Sequence, residues 1–172
     1  MRRIEQETFD MLSQELLKEL FTYNPETGHF TRNVTRGGQL AGSVAGSLDT
    51  CGYRQMRFCG RKRSCHRLAW LYVYGVWPEF EIDHINGDKL DNRIINLRPA
   101  TRSGNMTNIG ARRSSKTGVK GVDWDKQHLR YRAQIMVDGR KKNLGRFDTM
   151  EEAAKAYAEA AARLHGEFAR IA

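Results

Sequence analysis

Closely spaced glycines limit the region between residues 30 and 65 to short pieces of regular structure. Six of them fall there, at positions 37, 38, 42, 46, 52 and 60. The residues between them have the character of β-strands, and glycine is the usual residue of tight turns. This region is therefore predicted to be a set of short strands joined by tight turns.

Helical spacing marks two further segments of the first half of the chain. Phe9, Leu12, Leu16 and Leu20 recur at helical intervals, which predicts an amphipathic helix over residues 7–21. Residues 66–76 are predicted to form a short, well-packed helix. Pro78 closes it, because proline cannot continue the interior of a helix.

The last third of the chain has a pattern of its own. Strands are expected over residues 119–123, 129–137 and 140–147, with the last two joined by an Asp138-Gly139 hairpin turn. Thr149 and Glu152 form a capping box that starts a helix with an alanine-rich buried stripe. The expected domains are residues 1–110, a basic linker at 111–117, and residues 118–172. The expected fold class is α+β.

The charge of the chain indicates its partner. A net charge of +9 and a pI near 9.7 favour a polyanion, either nucleic acid or an acidic membrane surface. No helix combines a basic face with a broad apolar one, and no apolar run or signal peptide is present, so we expect a soluble, non-secreted protein without a membrane partner. Cys51, Cys59 and Cys65 lack the spacing of a disulfide framework or a zinc site, which favours reduced thiols and a cytoplasmic location.

A polar segment carries the candidate chemistry. Asp83 and His84 follow a short stretch with apolar residues. Asn96 lies twelve residues after His84, and Asn105 lies nine residues after Asn96. Two strands joined by a long polar loop, with Ile94 and Ile95 on the second strand, and then a short helix capped by Thr101 could bring these side chains together. Hydrolysis of a phosphodiester needs a base and a cation, and histidine beside oxygen ligands suits both needs.

The same segment resembles the HNH homing-type endonucleases of phages. The resemblance is carried by Asp83-His84-Ile85-Asn86-Gly87-Asp88, Asn96-Leu97-Arg98 and Asn105-Met106, and it extends over roughly residues 15–110. It implies a ββα-metal nuclease core, with His84 as the general base and Asn96 as a brace. It further implies Asp83 and Asn105 as ligands of one Mg²⁺ or Mn²⁺. The role of His66 stays open between packing, phosphate contact and a wall of the active site.

The C-terminal segment resembles the AP2 DNA-binding domain. Lys120-Gly121-Val122, Tyr131-Arg132-Ala133-Gln134-Ile135 and Leu144-Gly145-Arg146-Phe147 carry that resemblance, which implies a three-stranded sheet in the major groove with a helix behind it. Strand alternation assigns Lys142 and Arg146 to the helix side unless a bulge intervenes. The candidate DNA-binding residues of the whole chain are Arg54, Arg57, Arg61, Arg63, Arg112, Arg113, Lys116, Lys120, Arg130, Arg132, Gln134, Lys141 and Asn143.

These observations predict a site-specific, homing-type endonuclease that nicks one strand of double-stranded DNA and acts as a monomer. The resemblance also implies a phage gene that is expressed in a bacterial host. One alternative is a DNA-binding regulator that does not cleave. Another is a nuclease that cuts structured RNA, or any nucleic acid, without sequence preference.

Overall fold

The computed structural model describes residues 13–111, 115–137 and 139–169, with Glu167 described by its backbone alone. The chain divides into two compact units between Pro99 and Ala100. Helices and small sheets are mixed in both, so the fold is α+β, as expected. None of the helices in these ranges is long and apolar enough to cross a membrane. The domain limits at residues 110 and 118 remain a prediction.

The first unit begins with a helix and a hairpin. Helix α1 (Gln14–Leu20) starts where the Ser13 hydroxyl accepts a hydrogen bond from the backbone N–H of Leu16. Strands β1 (Phe21–Asn24) and β2 (His29–Arg32) pair antiparallel. The helix predicted to reach residue 21 ends earlier, because Phe21 adopts the extended backbone of β1. The part of that prediction over residues 7–12 lies outside the described residues.

The glycine-rich region folds into the predicted short strands. Strands β3 (Ser47–Leu48), β4 (Arg54–Phe58) and β5 (Arg61–Ser64) form an antiparallel sheet in that order. Helix α2 (Cys65–Tyr74) follows directly and ends at Gly75, whose positive φ of 75° is the usual geometry of a helix C-terminus. The predicted helix over residues 66–76 is thus confirmed, shifted by one or two residues at its ends.

The core of the first unit is aromatic and aliphatic. Leu17, Phe30, Phe58 and Leu68 are fully buried within it. Leu17 is the buried residue of α1, while Leu16 and Leu20 of the predicted stripe are only half-buried against the same core. This core anchors the strands and α2 around the polar segment that follows.

The polar segment forms strand, loop, strand and helix, as predicted. Strand β6 (Glu81–His84) pairs with β7 (Leu97–Ala100) in a two-stranded sheet, and α3 (Arg102–Thr107) comes next. Ile94–Asn96 form a 3₁₀ turn and not the start of the second strand, which corrects the prediction for Ile94 and Ile95. Thr101 caps α3 by accepting a hydrogen bond from the backbone N–H of Gly104, as expected.

The second unit contains a three-stranded sheet and a helix. Strands β8 (Val122–Asp125), β9 (Arg130–Val137) and β10 (Arg140–Phe147) pair antiparallel in the order β10-β9-β8. Helix α4 (Met150–His165) begins with the predicted capping box of Thr149 and Glu152 and is followed by a 3₁₀ turn, Gly166–Phe168. The first strand starts at Val122, later than predicted. Asp138 of the predicted turn lies outside the described residues.

Small side chains let α4 pack closely on this sheet. Ala153, Ala160 and Ala161 are buried in the helix, against Ala133 and Ile135 of the central strand. The predicted alanine stripe is therefore the face of the helix that meets the sheet. The other face of the sheet carries mainly polar side chains, with the exposed Met136 among them.

Candidate functional site

Asp83 and His84 are buried polar residues at the end of a strand. In β6 the side chains of Ile82, Asp83 and His84 are all shielded from solvent, with 6%, 4% and 5% of their surface exposed. Burial of a carboxylate and an imidazole is costly unless both are hydrogen-bonded, so their partners determine what the site can do.

Arg98 is the partner of Asp83. Its Nε and Nη2 atoms donate hydrogen bonds of 2.9 and 2.7 Å to Oδ2 of the carboxylate. The two side chains are 11% and 5% exposed, so this is a buried ion pair that fixes the orientation of the carboxylate. Arg98 was not among the site residues predicted from the sequence. The signal that could have identified it is a basic residue in β7, because β7 pairs with β6, the strand that carries Asp83.

Asn92 is the partner of His84. The imidazole Nε2 lies 3.2 Å from Oδ1 of Asn92, whose side chain is fully buried. Burial lowers the pKa of His84 below its ordinary value, an effect that the Asn92 hydrogen bond and the nearby Asp83 charge partly oppose. The neutral imidazole is thus favoured near pH 7, as a general base requires. Asn92 was also missed, since a single asparagine in a loop has no periodicity that marks it.

Two further rings pack against His84. The ring of His66 lies edge-on at 5.1 Å between centroids, and the ring of Tyr53 lies 5.9 Å from His84 and 5.4 Å from His66. Burial, together with repulsion from the Arg67 guanidinium and from His84 when that ring is protonated, lowers the pKa of His66 to about 3. The ring of His66 therefore packs beside that of His84, and a role for His66 in the chemistry remains a prediction.

Asn96 braces the loop between the strands. Its Oδ1 accepts a hydrogen bond from the backbone N–H of Asn86, and its Nδ2 donates to Oδ1 of Asn86 and to the carbonyl of Asp91. Its own carbonyl accepts from the N–H of Ile85, the residue after His84. The brace implied by the sequence resemblance thus has a structural basis in the loop, while a catalytic role for Asn96 remains a prediction.

Asn105 lies on α3 and belongs to the second unit. Its place beside Asp83 as a second metal ligand remains a prediction. Within the described ranges no three His, Cys, Asp or Glu side chains are grouped closely enough to hold an ion. Mg²⁺ typically uses only one or two protein carboxylates and completes its shell with water and substrate phosphate. The carboxylate of Asp83 and the amide oxygen of Asn105 therefore fit such an ion by the chemistry of the donors.

The candidate DNA-binding arginines of β4 and β5 divide into two groups. Arg57 and Arg61 are exposed. Arg54 is half-buried and donates to the carbonyl of Gly46, and the half-buried Arg63 stacks over Trp77 at 5.4 Å. Arg57 and Arg61 are thus the more exposed pair, although Arg57 also donates to the carbonyl of Gly60. Arg54 stabilises the start of the sheet, and Arg63 packs on a ring that follows α2. Binding of DNA by any of them remains a prediction.

The candidates of the predicted linker, and Lys120 shortly after it, have mixed surroundings. Arg112 and Arg113 lie outside the described residues. Lys116 is exposed. Lys120 is half-buried and its ammonium donates to the carbonyl of Thr107 at the end of α3, so part of its role is to hold the second unit together.

A β-bulge sets the outer face of the C-terminal sheet. Residues directly opposite in an antiparallel pair share a face. Lys141 is opposite Met136 and Asn143 is opposite Gln134, so these side chains share the outer face with Arg130 and Arg132, as predicted. The register shifts between Asn143 and Gly145. Arg146 is consequently opposite Arg132 on the outer face, which corrects its assignment to the helix side.

Acidic side chains orient several of these arginines. Arg132 pairs with Asp123 at 2.8 Å, and Arg146 pairs with Asp125 at 2.8 Å. Arg146 and the nearby His128 hold the pKa of Asp125 below its usual range. The outer face is therefore a polar surface whose guanidinium groups are held in place before any partner arrives.

Two segments of the chain match known protein families. A family model described as HNH endonuclease matches residues 63–107, and a model of the AP2 domain matches residues 117–167. Protein 3.8 of Escherichia phage T7 is 33% identical over 107 residues, which cover 62% of this chain and 88% of that protein. A protein named as an uncharacterized HNH endonuclease, from Acanthamoeba polyphaga mimivirus, is 34% identical over 110 residues. These cover 63% of this chain and 56% of that protein.

Among solved structures, one titled "DNA binding and cleavage by the HNH homing endonuclease I-HmuI" is similar over 84% of each chain. The sequence identity is 16% and the TM-score is 0.38, a likeness too distant to bear on function.

Proposed function

Because this chain belongs to the HNH endonuclease family and carries an AP2 domain behind its HNH segment, we propose that it is an endonuclease that hydrolyses phosphodiester bonds of double-stranded DNA. The observation that carries the proposal is a neutral, buried His84 next to a carboxylate fixed by Arg98. A base and an oriented oxygen ligand are the two protein groups that metal-assisted hydrolysis of a phosphodiester needs.

In the proposed reaction His84 takes a proton from the attacking water, whose oxygen bonds to phosphorus. The bond between phosphorus and the 3′ oxygen breaks, and the leaving oxygen takes up a proton from solvent. Asp83 and Asn105 would hold one Mg²⁺ or Mn²⁺, which when bound stabilises the charge on the phosphate and on the leaving oxygen. Arg98 keeps the Asp83 carboxylate oriented, and Asn96 keeps the loop after His84 in place. The products carry 5′-phosphate and 3′-hydroxyl ends.

Recognition of the DNA is assigned to the basic surfaces. The outer face of the C-terminal sheet and the predicted linker dock on the duplex, with Arg57 and Arg61 as additional contacts. Lysine and arginine contacts to phosphate supply affinity that depends on salt, and contacts to base edges supply sequence preference. The finer proposal is a homing-type enzyme that acts as a monomer in the cytoplasm of a host cell. One HNH segment per chain supports a nick in one strand.

Conversion of supercoiled plasmid tests the proposal. The wild-type protein is incubated with plasmid that carries DNA from the candidate host or phage, in Mg²⁺, in Mn²⁺ and in EDTA. Open circles that form with metal and not with EDTA are the expected result, and linear product would instead indicate paired cuts.

Two outcomes would favour the alternatives. Intact plasmid in every condition, together with clear binding in a gel shift, would contradict the proposed activity and favour a DNA-binding regulator. Random DNA or RNA cut as fast as the candidate target would favour a nuclease without sequence preference.

A further inference from the structure

We propose that Lys120 of the AP2 segment and Phe168, directly after that segment, are positioning residues that hold helix α3. This helix carries Asn105, so the module that docks on the DNA also fixes the orientation of a proposed metal ligand. The inference rests on the proposed function for the role of Asn105. It adds the residues that keep the helix in place, which belong to the second unit together with α3.

Helix α3 has little stability of its own. It consists of six residues, Arg102–Thr107, and isolated helices shorter than about 12–15 residues are marginal in water. None of these six residues is fully buried, and Met106 is 62% exposed. The Thr101 hydroxyl caps the first turn but satisfies only one of the free backbone donors there. Contacts with other elements are therefore needed to keep this segment helical.

The ring of Phe168 provides one such contact, on the backbone of Gly104. Phe168 lies in the 3₁₀ turn after α4 and is half-buried. A Cβ added to Gly104 would lie 3.2 Å from Cδ1 and from Cε1 of the ring, closer than an ordinary van der Waals contact. The absence of a side chain at Gly104 therefore lets the ring pack directly against the helix.

Lys120 provides a second contact, at the end of the helix. Its ammonium donates to the carbonyl of Thr107, the last residue of α3. A cation is favourable there, because the last carbonyls of a helix lack intrahelical donors and carry partial negative charge. Next to Lys120, the carbonyl of Gly121 accepts from the N–H of Gln134 at 2.8 Å, and an added Cβ at Gly121 would collide with the buried ring of Tyr157. Lys120 is thus anchored in the core of the C-terminal module.

Hydrogen exchange in the full chain, without DNA or metal, tests the contact with Phe168. The amides of Asn105 and Asn108 bond to the carbonyls of Thr101 and Gly104, so their exchange reports the opening of α3. In Phe168→Ala this exchange should be at least about 10-fold faster than in the wild type, because a large apolar contact is lost. Unchanged exchange would overturn the proposal.

Phe147→Ala is the matched control. Its ring is also half-buried in the second unit, but it packs on Gly145 of β10 and not on α3. The amides of α3 should exchange as in the wild type, and equal acceleration in both variants would overturn the proposal. If Phe168→Ala does not fold, Phe168→Leu replaces it, with an expected acceleration of about 2- to 10-fold. Unchanged exchange in Phe168→Leu would then be the contradicting result.

Gly104→Ala tests whether Phe168 is the residue that touches α3. Alanine favours a helix more than glycine does, so this change should slow the exchange of α3 by about 4-fold in the Phe168→Ala background. In the wild-type background the new Cβ meets the ring, and the gain should be smaller. Equal effects in the two backgrounds would mean that the residues do not interact, which would overturn the assignment.

Lys120→Met tests the second contact, because it keeps the apolar stem and removes the ammonium. Loss of the favourable charge at the helix end should speed the exchange of the Asn108 amide by about 2- to 5-fold. Lys126→Met, at an exposed lysine between β8 and β9, should leave this exchange unchanged. Equal exchange in the wild type and in Lys120→Met would remove Lys120 from the proposal.

The kinetics of plasmid nicking distinguish positioning from folding. In Phe168→Ala kcat should fall about 10- to 100-fold, because small displacements of a group that positions the reaction are costly in rate. KM for DNA should change little, since the outer face of the sheet is untouched. Phe168→Tyr keeps the ring and should restore kcat. Faster exchange of α3 together with unchanged kcat would overturn the positioning role.

Exchange is measured without cleavage, so the two proposals fail separately. A wild type whose α3 depends on Phe168 but that nicks no DNA would contradict the endonuclease function and leave the contacts of α3 standing. An active enzyme whose α3 exchanges alike in the wild type, Phe168→Ala and Lys120→Met would overturn this inference and leave the function standing.

Discussion

Burial gives the Asp83–Arg98 pair its importance at the scale of single residues. Both side chains are nearly inaccessible, and two hydrogen bonds join them. A buried pair contributes little net stability compared with apolar residues of the same size, but removal of one partner leaves an uncompensated charge. The pair therefore orients the carboxylate, and breaking it should be costly.

Arg98→Leu tests this expectation. The loss of the guanidinium should reduce the free energy of unfolding of the first unit by about 3–5 kcal/mol, because Asp83 stays buried without its cation. Arg132→Leu is the matched control, since its bidentate pair with Asp123 is 33% and 52% exposed and should contribute less than about 1 kcal/mol. Urea unfolding followed by circular dichroism measures both, and equal losses would contradict the account.

The candidate site was only partly predictable from the sequence at this scale. Asp83 and His84 were recognisable because their chemistry and spacing are local. Asn92 and Arg98 were not, because their roles depend on where a loop and a neighbouring strand bring them. The loop position of Asn92 depends on Tyr23, 69 residues away, and no pattern within one segment reports such a contact.

At the scale of elements, the β1–β2 hairpin links the hydrophobic core to the loop between β6 and β7, which holds Asn92. Tyr23 lies in its first strand and Gly28 in its turn, and both contact the backbone at Asn92. The positive φ of 71° at Gly28 allows this close approach, which a side chain would prevent.

Gly28→Ala is expected to separate the hairpin from the loop. The Cβ would meet the backbone at Asn92 and Arg93, so we expect a loss of at least about 3 kcal/mol, where backbone strain alone accounts for roughly 1–2 kcal/mol. Gly60→Ala provides the control, because Gly60 has a φ of 75° with nothing within 4 Å of an added Cβ. Thermal unfolding of both variants gives the comparison. If Gly28→Ala loses no more stability than Gly60→Ala, the contact between Gly28 and the loop does not contribute to stability.

The C-terminal elements were largely predictable because their signals are local. The capping box, the alanine stripe and the alternation in β9 all appear in the structure as expected. The face of Arg146 was not predictable, because a one-residue shift in pairing reverses the faces of all later residues in a strand.

Two adjacent lysines of β10 test the assignment of the DNA-binding face. Lys141 lies opposite Met136 on the outer face, and Lys142 lies opposite the buried Ile135; both lysines are exposed. Lys141→Ala should weaken DNA binding and reduce the slope of log K against log salt by about 1, the value for one lost phosphate contact. Lys142→Ala removes the same charge and should change affinity less than about two-fold. Fluorescence anisotropy over a salt series measures both, and equal effects would reject the outer face as the contact surface.

At the scale of the whole molecule, charge and architecture support the proposal that DNA binding and hydrolysis use different residues. The net charge of +9 supplies attraction to DNA that does not depend on sequence. The first unit holds Asp83, His84 and the residues that orient them, and the second unit holds α3 and the AP2 sheet. In the proposed function, docking and chemistry depend on different sets of residues, and they should be separable by mutation.

His84→Ala tests the central claim most directly, with cleavage and binding measured on the same DNA. Plasmid nicking in Mg²⁺ should be abolished while DNA affinity stays within a few-fold of wild type, because the base acts in the reaction and not in docking. His29→Ala, a histidine of β2, should retain both properties. Cleavage by His84→Ala at the wild-type rate would contradict the account and remove His84 from the mechanism.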